Sequence, residues 1–194
     1  MSATKGTNSP TRDPRDFYRT PAWCVRELYA TMPGLPAPTL DPCAGTGALL
    51  RAAPAPPSMI RGIELDPELV KAAGLPNVTQ GDGLAAGWGG EHILMNPPYR
   101  DALSWIEKGV REANSVLALL RLGFMGAQSR LPFWRHHPPR ALVTLSKRPS
   151  FTGGATDSAD YAWFFWTKDR ALAVRPGLAT LAWITDSRDN TEST

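Results

Sequence analysis

The chain has 194 residues, 42% of them hydrophobic and 20% charged, with a net charge of +3. That length suits one domain with a real core and leaves little room for a second, and the composition excludes a low-complexity or fibrous chain. No apolar run is long enough to span a bilayer, and the polar opening lacks the apolar segment of a signal peptide. A cytosolic protein is therefore expected. Its two cysteines, Cys24 and Cys43, are expected to be reduced and have no metal-ligand spacing.

Residues 1–15 and 186–194 are polar, aromatic-free and rich in Ser, Thr, Asn and Asp. Both ends are expected to be disordered, leaving 16–185 as the folded domain. The first element is a helix in "TPAWCVRELYATM", where Trp23, Val25, Leu28, Tyr29 and Met32 recur at helical spacing. Thr20 is its expected N-cap and Pro21 its first helical residue.

Seven strand-like runs follow: "PTLD", "MIRGIELD", "NVTQGD", "EHILMN", "SVLALLRLGF", "RALVTLSK" and "YAWFFWTK". Between them lie the helix-sized segments "GALLRAA", "PELVKAAG", "DALSWIEKGVREAN" and "MGAQSRLPFWRHH". In the third, Asp101 is the expected cap and Leu103, Ile106 and Val110 share one face. Alternation of strand and helix predicts an α/β fold, a doubly wound, mostly parallel seven-stranded sheet. The last two runs follow each other without a normal helix and predict an antiparallel edge hairpin.

Between Ala113 and Thr156 there is no acidic residue, while Arg121, Arg130, Arg135, Arg140, Lys147 and Arg148 lie there with Phe124, Phe133, Trp134 and Phe151. Cations interleaved with rings suit a polyanion whose bases can stack. A solvated basic surface over core aromatics accounts for the same stretch equally well.

"TLDPCAGTGALL" sets Asp41 at a strand end, then a small-residue loop emptying onto a helix. Small residues allow close backbone approach to a ligand. The loop lacks the Lys-Ser/Thr pair of a triphosphate cradle, and Asp41 would repel a pyrophosphate, so a nucleoside carrying a positive or neutral group is expected. Glu64 closes the next strand 23 positions after Asp41, where doubly wound folds hold ribose hydroxyls. Asp82, in "GDGL", closes the third strand and could accept from an adenine amino group. Three acids ending successive strands point to one sheet edge.

"NPPY" (Asn96, Pro97, Pro98, Tyr99) ends the fourth strand on that same edge. Each proline lacks an N–H and fixes φ, so this loop is stiff. An amino group on an aromatic base is a weak nucleophile because its lone pair is delocalised. Two fixed acceptors, the Asn96 carboxamide oxygen and the Pro97 carbonyl, would localise that pair, and Tyr99 would stack on a base swung out of a duplex.

"DPCAGTG", "GIELDP", "GDGL" and "NPPY", in this order, resemble the S-adenosylmethionine-dependent amino-methyltransferases, especially the DNA N6-adenine methyltransferases. The later stretch, "LLRLGFM" through "DYAWFFW", resembles the small adenine methyltransferases of bacteriophages and prophages. The resemblance spans roughly residues 16–168 and implies a Rossmann-like class I methyltransferase domain, with DNA as partner and a bacterial or phage-infected cell as setting.

It further implies that Phe17, Tyr18 and Thr20 lie near the methionine end of the cofactor. Asp41, Pro42, Cys43, Ala44, Gly45 and Gly47 would form the cofactor loop, Glu64 would hold the ribose, Leu65 would pack on the adenine moiety, and Asp82 would bind its amino group. Asn96, Pro97, Pro98 and Tyr99 would be catalytic, with Phe151 a second aromatic against the flipped base.

The larger relatives carry a separate target-recognition domain, which has no counterpart here. Base and phosphate contacts would then fall to Arg130, Arg135, Arg140 and Arg148. "NPPY" also suits a methyltransferase of RNA adenine or of a protein glutamine, whose amide nitrogen poses the same lone-pair problem. A catalytically silent DNA-binding protein of the same fold is the remaining alternative. His136-His137 has no third ligand nearby, so no metal is expected. Whether the chain is a monomer or a homodimer is open at this level.

Overall fold

The computed structural model describes residues 19–151 and 156–169 and the backbone of 180–184. The strands are β1 Leu40–Asp41, β2 Arg61–Glu64, β3 Val78–Gln80, β4 His92–Met95, β5 Ser115–Arg121, β6 Ala141–Leu145, β7 Tyr161–Thr167 and β8 Thr180–Ile184. They form one sheet in the order β3-β2-β1-β4-β5-β7-β6-β8. The helices are α1 Ala22–Thr31, α2 Ala48–Ala52, α3 Pro67–Ala73, α4 Ala102–Glu112 and α5 Leu131–His136.

β1 to β5 are mutually parallel. The chain winds outward from β1 through β2 to β3, then returns to place β4 on the other side of β1. That reversal makes a crevice beyond the carboxyl ends of β1 and β4, the usual ligand position of open α/β sheets. β7 enters antiparallel between β5 and β6, as the missing helix before it predicts. All seven expected strands form. An eighth, "TLAWI", adds a parallel edge beyond β6. A five-residue apolar run has no period long enough to separate strand from helix, so it was not legible by pattern.

Side chains alternate cleanly across the sheet, as the two-residue strand period requires. On one face Leu94, Leu117, Leu119, Tyr161, Trp163 and Phe165 pack under α1. On the other, Ile93, Met95, Val116, Ala118, Phe164 and Trp166 pack under α4 and α5. β7 is buried on both faces, which explains its run of aromatics. Each large ring removed from water there contributes about 2–3 kcal/mol. The Trp163 indole N–H, buried with it, donates to the Cys24 carbonyl at 2.9 Å and ties α1 to the sheet.

Four local expectations change. Thr20 does not cap α1: Pro21 takes the cap position with extended ψ of 137°, and Ala22 starts the helix. Asp101 stands at the cap of α4 but makes no side-chain cap bond. The buried face of α4 is Ala102, Trp105, Ile106 and Gly109, with Leu103 and Val110 as half-buried flanks. The "MGAQSRLPFWRHH" segment is not one helix; single 3-10 turns at Leu122–Gly126 and Gln128–Arg130 precede the short α5. Pro132 lacks the N–H that a longer helix would require.

Candidate active site

A cavity of about 350 Å³ lies in the crevice between β1 and β4, within the usual size range of small-molecule sites. Asp41 lines it from the end of β1, Pro42, Cys43, Ala44 and Gly45 from the loop that follows, Glu64 and Leu65 from the end of β2, and Asp82 from the loop after β3. Thr20 enters from the segment before α1, and Asn96 and Pro98 from the loop after β4. The three strand-end acids and the Asn-Pro loop therefore share one cavity. Asp66 adds a fourth carboxylate and Arg19 a single cation.

The loops hold one another through the backbone. Gly47 turns the first loop into α2 at φ +74°, a left-handed conformation that a side chain would strain. The Glu64 carboxylate accepts from Gly45 N–H at 2.7 Å and from Asp66 N–H at 2.9 Å, bridging the loops after β1 and β2. Gly83 lets the third loop close on the first: a Cβ there would lie 2.0 Å from the Pro42 carbonyl oxygen. Asp82 accepts from Leu84 N–H at 2.8 Å, which fixes its side chain at the rim.

Asp41 is only 1% exposed. One of its carboxylate oxygens accepts from Cys43 N–H at 3.2 Å; the other, Oδ2, is buried with no hydrogen-bond partner among the described residues. Burial, with the Glu64 charge adding, pushes its carboxyl up to about 7. A buried carboxylate in that condition is satisfied by a cationic neighbour. Burial and the Asp41 charge likewise hold the Cys43 thiol well above its ordinary range, so it stays protonated. It donates to the Asn96 carbonyl at 3.6 Å, linking the first loop to the fourth.

Asn96 is held at both ends of its carboxamide. Its Nδ2 donates to Thr20 Oγ1 at 3.0 Å, and its Oδ1 accepts from the Tyr99 hydroxyl at 2.7 Å. Pro97 is buried and does not line the cavity. Tyr99 is half-buried outside the cavity lining, and burial pushes its hydroxyl well above the usual range, so it remains a donor.

Other expected residues are placed differently. Phe17 and Tyr18 lie outside the described residues, as do the glycines that follow Phe151. Phe151 is buried at 8% exposure, its ring edge against Tyr161 at 5.1 Å, and does not line the cavity. The arginines do not form one surface. Arg130 lies over the Phe124 ring at 4.5 Å and donates to the Phe124 carbonyl at 2.6 Å. Arg148, past the end of β6, pairs with Asp160 at 2.8 Å. Arg135 is exposed on α5, which leads away from the site: the next residue but one, His137, accepts from Trp166 beside the start of β5. Arg140 immediately precedes β6 at the opposite edge of the sheet, its N–H bonded to the Phe165 carbonyl.

Trp105, Leu69 and Arg19 line the cavity without having been expected there. Trp105 lies across α4 from the face that Leu103, Ile106 and Val110 mark in the sequence, so its spacing gave no signal that it would be buried or line a cavity.

No protein-family model and no curated protein sequence matches the chain. Among solved structures it is similar to a provisionally assigned class I S-adenosylmethionine-dependent methyltransferase from Listeria monocytogenes, at 16% identity and TM-score 0.57 over 76% of this chain and 58% of that one. It is also similar to a provisionally assigned RNA methyltransferase from Pyrococcus horikoshii, at 17% identity and TM-score 0.57 over 77% of this chain and 85% of that one. The M protein of the type I restriction enzyme EcoKI matches at 13% identity and TM-score 0.55, over 77% of this chain and 43% of that one. At such identities the likeness is one of architecture, and this chain has the Rossmann-like class I methyltransferase fold.

Proposed function

We propose that the chain transfers a methyl group from S-adenosylmethionine to the N6 amino group of adenine in DNA. The observation that carries this reading is that Asn96 lines the same cavity as Asp41, Glu64 and Asp82. The residues fit such a cofactor: buried Asp41, with Oδ2 lacking a hydrogen-bond partner among the described residues, suits a cationic ligand, and Glu64 and Asp82 are acceptors for ribose hydroxyls and an adenine amino group. Leu65, 68% exposed at the cavity, offers apolar surface for a purine.

When bound, S-adenosylmethionine supplies an electrophilic methyl group on a cationic sulfur. The chain's own part is positioning. An amide oxygen has two lone pairs, so Asn96 Oδ1 can keep the Tyr99 hydroxyl and accept a hydrogen of the target amine as well. The Pro97 carbonyl is the second acceptor. Together they draw the amine towards the pyramidal geometry in which its lone pair can attack, and the prolines keep both acceptors still. Tyr99 stacks on the extruded base. The arginines of the acid-free stretch do not gather at the cavity, so the choice of nucleic acid over protein rests on the resemblance of the motifs to the DNA N6-adenine methyltransferases, and the resemblance to small phage-type enzymes supports DNA over RNA.

The test is to incubate the protein with S-adenosylmethionine and unmethylated DNA, RNA or a protein lysate, then digest each and identify products by mass spectrometry. N6-methyldeoxyadenosine in the DNA sample alone is the expected result. Methylated ribo-adenosine or glutamine would retain the chemistry and replace the substrate, and no product anywhere would support a silent binding protein.

A further inference from the structure

Tyr99 is held by a cluster on the neighbouring strands. Arg121 ends β5 and faces Tyr161, the first residue of β7, across the sheet. Its guanidinium carbon lies 5.0 Å from the centre of the Tyr99 ring, within cation–π range. Its Nε donates to the Tyr161 hydroxyl at 3.0 Å, which in turn donates to Asp157 Oδ2 at 3.0 Å. Arg121 Nη2 approaches the same oxygen at 3.6 Å. Asp157 is itself fixed, accepting from Ala159 N–H at 2.9 Å and donating its own N–H to the Pro149 carbonyl at 3.0 Å. The Tyr161 ring packs beside Tyr99 with centroids 5.7 Å apart. Neither Arg121 nor Asp157 lines the cavity.

We infer that Arg121, clamped by Asp157 and Tyr161, is a positioning residue that sets the Tyr99 ring and, through the Tyr99 hydroxyl, the acceptor oxygen of Asn96. This rests on the methyl-transfer reading above. A half-buried arginine at a strand end beside such a cavity would ordinarily be taken for a phosphate contact. Here its planar fork is committed to a tyrosine hydroxyl, a carboxylate and a ring, a geometry that lysine cannot reproduce. Small misplacement of a positioning group lowers the rate of a preorganised reaction steeply, without weakening substrate capture.

The test compares wild type, Arg121→Ala, Arg121→Lys, Asp157→Asn and the Arg121→Ala/Asp157→Asn double variant in methyl transfer to DNA. Rates are normalised to cofactor-binding stoichiometry, so that any misfolded fraction is removed. Arg121→Ala is expected to lower kcat about 10- to 100-fold, leaving KM for DNA and the salt dependence of binding unchanged. Arg121→Lys should recover only part of that loss. Asp157→Asn should lower kcat in the same direction by less, and the double variant should be no worse than Arg121→Ala. With 2-aminopurine at the target position, fluorescence should show weaker stacking of the flipped base in Arg121→Ala.

If Arg121→Ala keeps its kcat and instead raises KM with a shallower salt slope, Arg121 is a phosphate contact and the inference fails while the enzyme reading stands. Full kcat in both Arg121→Ala and Asp157→Asn after normalisation also overturns it. A wild-type protein that methylates no DNA overturns both.

Discussion

The acidic cavity and the arginine-bearing stretch are built on opposite principles. In the cavity, Asp41, Glu64 and Asp82 come from three separate segments, yet each stands at or just past the end of a parallel strand, so the sheet brings them to one edge. From residues 121 to 148 the arginines are close in sequence and scattered in space. Arg140 lies just before β6 at the far edge, Arg148 lies past its end, and Arg130 is folded onto its own 3-10 segment. A charge at a strand end is placed by the fold; a charge in a connecting segment is placed by whatever local carbonyl or ring it can reach.

The largest expected effect tests the first half of that contrast. Asn96→Ala should reduce methyl transfer by about 100- to 1,000-fold, the scale for losing one preorganised polar group at a reacting centre. Cofactor affinity, measured by calorimetry, should change little. A parallel loss of cofactor binding would mean that Asn96 shapes the cavity and does not act on the target.

Next in size is Gly83→Ala. Its Cβ would collide with the Pro42 carbonyl, and overpacking of this kind costs about 1–3 kcal/mol. Denaturant unfolding should show that loss, together with weaker cofactor binding. Gly34→Ala, where nothing lies within 4 Å, is the control and should unfold like wild type. Equal stability of both variants would mean that the first and third loops do not close on each other as described.

Asp41 gives a smaller, pH-dependent effect. Its carboxyl in the ligand-free fold is pushed up to about 7 by burial, against about 4 when unfolded. The folded state therefore holds the extra proton between these values, and stability from this group falls as pH rises from about 4 to about 7. A cationic cofactor prefers the ionised form, so its affinity should rise by up to about tenfold per pH unit below 7 and level off above. Asp41→Asn should remove that dependence. A wild-type affinity that is flat from pH 6 to 8 would separate Asp41 from the cofactor.

The smallest effect concerns the second half of the contrast. Arg140→Ala should leave DNA affinity and its salt dependence unchanged in a binding titration, because Arg140 lies at the edge away from the cavity. A shallower salt slope, by about one unit for a lost phosphate contact, would mean that nucleic acid reaches around the sheet.

Much of the site was legible because its carriers are local. An acid after a strand-like run, a small-residue loop before a helix and two prolines behind "HILM" are each read within a dozen residues. What was not legible joins distant positions. The Cys43 thiol reaches the Asn96 carbonyl across 53 residues, and Asn96 reaches Thr20 across 76. Thr20 looked like a helix cap because a hydroxyl followed by proline has that meaning locally; its side chain instead found a carboxamide that the cap rule does not consider. Trp105 lies outside the helix face that Leu103, Ile106 and Val110 mark, yet it is buried at 8% exposure and forms part of the cavity wall.

By itself the sequence determined the strand order of reading, the alternation that buries β7 on both faces, and the identity of the groups at each strand end, since these depend on residue type and period. Only the tertiary structure decided which of those groups meet. Parallel pairing on both sides of β1 opens the crevice and collects the acids around Asn96, and the antiparallel entry of β7 sets Tyr161 against Arg121 beside Tyr99. The physical reason is that periodicity records which face a side chain takes, whereas its neighbours on that face are set by strand order and register, to which residues far apart in the chain contribute together.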